Sequence, residues 1–108
     1  MSAEAFASLE PRVGRVTRCQ RNAAARKPSW CLWIDFGEQG VRTSSAQLVD
    51  LYPAESLVGR LVIAAMNLGT RRIADFTSEV LVLGLPDEQG RVVLLTPERD
   101  VPLGGRVY

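Results

Sequence analysis

From residue 12 onward the hydrophobic pattern is that of β-strands, alternating with a period of two in one stretch and continuously apolar in others, with breaks at glycine and proline. Trp30, Leu32, Ile34 and Phe36 interleave with Cys31, Trp33 and Asp35, which predicts a half-buried strand with the first set on the core and Trp33 on the opposite face. Before it, Val13-Gly14-Arg15-Val16-Thr17 combines β-branched residues with a glycine that admits a bulge or a close strand crossing. Residues 22–28 read as the loop between these two strands. After it, Gly37-Glu38-Gln39-Gly40 supplies a turn, and Val41-Arg42-Thr43-Ser44-Ser45 resumes as a third strand in hairpin arrangement.

Tyr52-Pro53-Ala54-Glu55-Ser56-Leu57 predicts a single helical turn, because proline at the first helical position and an acid in the first turn suit a helix start. Gly59 ends it. Residues 60–68 contain the run Leu61-Val62-Ile63-Ala64-Ala65-Met66, whose continuity implies a strand buried on both faces, one of them a candidate subunit contact. Two further apolar runs, Val80-Leu81-Val82-Leu83-Gly84-Leu85 and Val92-Val93-Leu94-Leu95, flank Pro86, Asp87, Glu88, Gln89 and Gly90 and predict a hairpin. Arg106-Val107-Tyr108 can add a short final strand. At the front, Ala5, Phe6 and Leu9 stand at helical spacing and Pro11 closes the segment, so residues 1–11 are expected to form a docking segment or one helical turn. The sum is an all-β fold: a five-stranded OB-fold barrel with one short helical turn between strands three and four, plus short terminal extensions. At 108 residues the chain accommodates one core, and 1–108 is read as a single domain.

Composition narrows the function classes. Hydrophobic residues at 46% and charged residues at 23% place the chain among folded globular domains. Histidine is absent, which removes the commonest general base and the Ser-His and Cys-His nucleophile pairs. With no phosphate-cradling glycine motif either, an enzyme is not expected. Cys19 and Cys31 are the only cysteines. Without histidine they cannot complete a four-ligand zinc site within one chain, so they read as small core residues of a reducing compartment, and no metal or cofactor is expected. Lys plus Arg number 13 against 12 Asp plus Glu, a net charge of +1, so nucleic-acid binding would have to rest on a local patch. The first residues lack a cationic start followed by an apolar run, and no stretch approaches the roughly 18 to 20 apolar residues of a bilayer span. The expectation is a cytoplasmic protein without membrane insertion.

The stretch Trp30-Cys31-Leu32-Trp33-Ile34-Asp35-Phe36-Gly37, then Arg42-Thr43-Ser44-Ser45-Ala46-Gln47-Leu48, then the turn at 52–59, resembles the OB-fold tRNA-binding domain appended to many methionyl-tRNA synthetases. Further on, Asn67-Leu68-Gly69-Thr70-Arg71-Arg72-Ile73-Ala74-Asp75-Phe76-Thr77-Ser78-Glu79-Val80-Leu81-Val82-Leu83-Gly84 is similar to the corresponding loop and strand of CsaA-type secretion chaperones. The resemblance runs from about residue 12 to 108. Two departures sort the branches: tRNA-binding relatives usually read Ser-Gly-Leu where this chain has Ser45-Ala46-Gln47, and Ser-Glu-Gly-Met where it has Ser78-Glu79-Val80-Leu81. Both favour the chaperone branch. The resemblance implies a homodimer formed through the terminal segments, with a pocket on each subunit for unfolded or precursor polypeptide, working with the Sec translocation motor ATPase. The other branch implies tRNA as the partner.

For a polypeptide site the candidates are Asn67, Arg71, Arg72, Phe76 and Ser78, in or beside the loop after the long apolar strand, with Ser44, Ser45 and Gln47 lining the same mouth. Arginine and asparagine donors suit peptide carbonyls and acidic groups, and Phe76 suits an apolar side chain. The alternative stays open here: Arg71 and Arg72 as a solvated pair, Phe76 as a barrel plug, and the serines as solvation of an edge strand. Glu79 reads as the structural partner of Arg71 or Arg72. For an RNA site the candidates are Arg12, Arg15, Arg18, Arg21, Arg26 and Lys27, six basic residues with no acid among them. Regular strand geometry would put Arg12 and Arg18 on one face and Arg15 and Arg21 on the other.

Overall fold

The computed structural model describes residues 2–108; Met1, the first residue of the expected docking segment, lies outside them. The elements in chain order are α1 (Ala3–Ser8), β1 (Pro11–Arg21), β2 (Trp30–Asp35), a 3-10 turn at Gly37–Gln39, β3 (Val41–Ala46), α2 (Ala54–Leu57), β4 (Leu61–Ala65), β5 (Arg71–Ile73), β6 (Phe76–Ser78), β7 (Leu81–Val82), β8 (Gly84–Pro86) and β9 (Val92–Leu94). The main sheet has the order β3-β2-β1-β4-β7, all its pairings antiparallel. It curls until its edges meet: Thr43 O on β3 accepts from Glu79 N at 2.8 Å and Val80 N at 3.1 Å, just ahead of β7. The result is a nearly closed five-stranded OB-type barrel, with the helical turn α2 between β3 and β4 as expected.

The inner face of β2 fills the barrel. Leu32, Ile34 and Phe36 are fully buried with Val16, Leu57 and Val62, and burying each large side chain stabilises the fold by about 1.5–3 kcal/mol. Gly14 on β1 makes room for them. A Cβ there would stand 2.6 Å from Ile34 Cγ2 and 2.7 Å from Phe36 Cδ1, so the glycine is needed for packing rather than for backbone freedom. Trp30 packs against the core edge and donates its Nε1–H to Tyr52 O at 2.9 Å, while the Tyr52 hydroxyl accepts from Leu94 N at 3.0 Å. These two bonds fasten the segment before α2 across the barrel.

β1 serves two neighbours. Its first half pairs with β4 and its second half with β2, and the register shifts between Val16 and Arg18, so Thr17 is a bulge residue. Alongside the first half runs the C-terminal segment, where Gly104 N donates to Val13 O, Val13 N to Gly105 O and Val107 N to Pro11 O. The expected final strand is thus a single bridge, Arg12 to Arg106. β4 is shorter than the expected 60–68 and is buried on both faces except at Ile63. Pro53 stands as the N-cap of α2 rather than its first helical residue.

Two local expectations need correction. The single strand expected at 80–85 is two short pieces. Leu83 donates to Ile63 O on the barrel side and accepts from Leu95 N on the other, which makes it the crossover from the main sheet to the β8–β9 hairpin. The stretch after β4, expected as a loop, holds the β5–β6 hairpin, with Ile73 opposite Phe76. At the front, α1 is one short exposed helix capped by the Ser2 hydroxyl, which accepts from Ala5 N. Asn67 ties its exit down, donating to Ser8 O at 2.6 Å and accepting from Glu10 N at 3.0 Å, and Arg106 donates to Ala7 O and Leu9 O.

Candidate binding groove

A groove of about 940 Å³ lies between the β1–β2 loop, the end of β3 and the β5–β6 hairpin. The loop contributes Ala24, Ala25, Arg26, Lys27 and Ser29; the end of β3 contributes Ser45, Ala46, Gln47 and Leu48. Leu68, Arg71, Arg72 and Ile73 form the hairpin wall, and Ser78, Val80, Leu81, Val82 and Val92 complete the lining. The surface therefore combines aliphatic side chains with hydroxyls, an amide and four cations, and no Asp or Glu lines it. In a chain of net charge +1 that is a local concentration of positive charge.

The hairpin wall is held by polar side chains. Asn22, buried, donates through Nδ2 to Ile73 O at 3.3 Å, and the Thr43 hydroxyl donates to Thr77 O at 2.7 Å. Ser78 Oγ accepts from Ser45 N at 3.0 Å and donates to Val80 O at 3.3 Å. Glu79 corrects the expectation of an ion pair with Arg71 or Arg72: its Oε1 accepts from Thr43 N at 3.0 Å and Thr43 Oγ1 at 2.9 Å. It seals the barrel edge and leaves the arginines to the groove.

Of the residues proposed for a polypeptide site, Ser45, Gln47, Arg71, Arg72 and Ser78 line this one groove. Three stand elsewhere. Ser44 pairs with Leu32 and shares its inward direction, with 1% exposure, because neighbours on a strand alternate faces and Ser45 takes the outer one. Asn67 clamps the N-terminal segment. Phe76 packs edge-on against Trp33, ring centroids 5.5 Å apart. Of the RNA-site candidates, Arg26 and Lys27 join the groove, so the two proposed sites partly merge.

The remaining arginines are dispersed. The Thr17 bulge reverses the side-chain phase, so Arg15 and Arg18 share the outer face, opposite Asp35 and Trp33, while Arg12 and Arg21 take the other side at opposite ends of β1. This replaces the pairing of Arg12 with Arg18 that a regular strand predicts. Arg12 bonds Glu10 and Gly104 O, and Arg15 bonds Gly59 O. Arg18 lies over the Trp33 ring at 4.4 Å and Arg21 over Trp30 at 5.7 Å, contacts worth about 0.5–1 kcal/mol where exposed. A second hollow of about 320 Å³ is lined by Arg21, Cys31, Trp33, Asp75 and Phe76, among others. Burial, then the Asp75 charge, pushes the Cys31 thiol pKa up.

Reasoning on the sequence missed Ser29, Leu48, Leu68 and Ile73 as groove residues. Pro28-Ser29 and Gly69-Thr70 carry a turn signal, but nothing in it says that the two turns face each other.

Residues 12–106 match the family described as a tRNA binding domain. The chain belongs to that family. In structure it is similar over its whole length to chaperone CsaA from Bacillus anthracis str. Ames, with 42% identity, a TM-score of 0.93 and 98% of that chain covered. The CsaA chaperone protein from Picrophilus torridus is similar at 36% identity and TM-score 0.92, with 100% of this chain and 99% of that one covered. These likenesses place the chain in the CsaA-type branch of the tRNA-binding superfamily. Among curated proteins it is 33% identical over 102 residues to the methionine–tRNA ligase of Pyrococcus abyssi, covering 94% of this chain and 14% of that enzyme. The chain thus spans about one seventh of the length of the ligases it matches. Among the described residues no helix is long and apolar enough to cross a membrane.

Proposed function

We propose that this chain is a CsaA-type chaperone that holds extended segments of unfolded or precursor polypeptide in the 940 Å³ groove. The observation that carries the reading is the groove's mixed lining. Leu48, Leu68, Ile73 and Val82 offer apolar contact, while Gln47 and the cations offer hydrogen bonds to main-chain carbonyls. Such a surface accepts many sequences loosely. The whole-chain likeness to proteins described as chaperones supports it.

The reading extends to a homodimer in the cytoplasm that passes clients to the Sec translocation motor. The exposed apolar residues Leu85 and Val93, cross-strand partners on the β8–β9 hairpin, and Val107 and Tyr108 at the C-terminus supply the surface for a second copy. Two grooves on one dimer would gain avidity along one extended client. The chemistry is binding only, with no catalytic step assigned to any residue.

A second reading, tRNA binding, is favoured by one observation: Arg26, Lys27, Arg71 and Arg72 meet on a surface without carboxylates. Competition separates the two. A fluorescent unfolded peptide is titrated with the protein at two salt concentrations, with bulk tRNA as competitor and a Leu68→Ser, Arg71→Ala double variant as control; both residues are exposed, so the fold should persist. Peptide binding that tolerates salt and is lost in the variant supports the chaperone. Binding of tRNA alone, falling steeply with salt, replaces it with the RNA reading.

A further inference from the structure

Within the groove, three of the four cations and one buried hydroxyl have no side-chain partner among the described residues. Arg26, Lys27 and Arg71 form no ion pair or side-chain hydrogen bond among the described residues, and Arg72 uses only its Nε, on Ala74 O at 3.2 Å. The ion pairs among the described residues lie elsewhere, at Arg12, Arg91 and Arg99. Ser29 stands on the groove wall with 2% exposure, and its Oγ has no hydrogen-bond partner. Its backbone is satisfied, since Ser29 O accepts from Asn22 N at 3.1 Å. A buried hydroxyl left unpaired costs the fold about 1–3 kcal/mol, and its proton is free to turn toward an acceptor that reaches it.

We infer that the groove selects polypeptide segments carrying a carboxylate next to apolar residues, the carboxylate accepting a hydrogen bond from the Ser29 hydroxyl and facing the charge of the four-cation rim. This rests on the polypeptide reading above and sharpens it from any unfolded segment to an acidic one. Charge complementarity is the argument: four cations and no acid on the wall favour an anionic segment and disfavour a cationic one. The carboxylate can come from a Glu or Asp side chain or from a chain terminus, and the two are chemically equivalent here.

The test is fluorescence anisotropy on the full-length protein with one apolar peptide core in four versions: two flanking Glu with an amidated C-terminus, two Gln amidated, two Lys amidated, and two Gln with a free C-terminal carboxylate. The amidated Glu peptide is expected to bind roughly tenfold tighter than the Gln peptide at low salt, a difference of about 1.4 kcal/mol, and the Lys peptide more weakly than either. If the free terminus gives the gain and Glu does not, the carboxylate stands and its source is the chain end. Ser29→Ala should erase several-fold of the carboxylate advantage, read as the ratio of Glu-peptide to Gln-peptide affinity. If Ser29→Ala does not fold, Arg71→Gln with Arg72→Gln, both exposed, should weaken both peptides but the Glu peptide several-fold more, so that the ratio of their affinities falls. Equal binding of Glu, Gln and Lys peptides overturns the carboxylate inference and leaves the polypeptide reading standing. Failure of every peptide, with tRNA bound, overturns both.

Discussion

Replacing Glu79 should open the barrel edge that forms one wall of the groove. Its Oε1 accepts Thr43 N–H at 3.0 Å and stands 2.9 Å from the Thr43 hydroxyl, which has one proton to divide between Glu79 and Thr77 O at 2.7 Å. Counting the amide bond as charge-assisted and the hydroxyl as shared, Glu79→Ala should cost about 2 kcal/mol. For 108 residues, with an unfolding entropy of about 2.1 cal/mol/K per residue, that lowers Tm by roughly 8–9 °C. Glu79→Gln keeps an acceptor oxygen and should lose less than half as much. The assay is thermal unfolding at one fixed protomer concentration, since association shifts Tm by mass action, with Thr43→Ala and the double variant completing a cycle. A coupling energy near 1 kcal/mol or above is expected for residues in contact. Additive losses, or a Glu79→Gln loss equal to that of Glu79→Ala, would refute the closure assigned to this pair.

Gly14→Ala pushes a methyl to within 2.6 Å of the fully buried Ile34, and chemical denaturation should show a loss of about 1–3 kcal/mol or outright failure to fold. Ser44→Ala removes a buried hydroxyl without a partner, so stability should stay level or rise by up to about 1 kcal/mol, and peptide affinity should not change. Burial, with a smaller contribution from Cys31, pushes the Cys19 thiol pKa from 9.0 up to about 11. The folded state thus holds that proton where the unfolded state has released it, and stability should fall as pH rises from about 9 through about 11. The difference in unfolding midpoint between the native chain and Cys19→Ala, followed across that window, isolates this contribution from other groups; a difference independent of pH would refute it.

The barrel was legible because its strands obey simple rules. Leu32, Ile34 and Phe36 recur at every second position and are all buried, although Cys31 on the opposite face is buried too, and the run at 61–66 announces burial on both sides. What stayed hidden depends on contacts between distant segments. The β5–β6 hairpin turns at Ala74-Asp75, with Ala74 at φ +57°. That conformation costs a non-glycine residue roughly 1–2 kcal/mol, and no Asn-Gly or Gly signature marks it. The Thr17 bulge likewise leaves no compositional trace, yet it decides which arginines share a face. The candidate site was half legible. Ser45, Gln47, Arg71, Arg72 and Ser78 do gather, but Ser44 fails on strand parity, and Asn67 and Phe76 are engaged in tertiary contacts that spacing alone does not reveal. Arg26 and Lys27 read as part of a linear basic stretch, whereas folding separates them from Arg12, Arg15 and Arg18 and turns them toward Arg71 and Arg72.

The central claim, that polypeptide binds in this groove, is tested most directly by backbone amide shift mapping on the ¹⁵N-labelled protein during titration with an unfolded peptide. The account predicts saturable shifts concentrated at residues 24–29, 45–48 and 68–74. Shifts absent there and confined to residues 11–15 and 85–93, or no shifts at any peptide concentration, would contradict it.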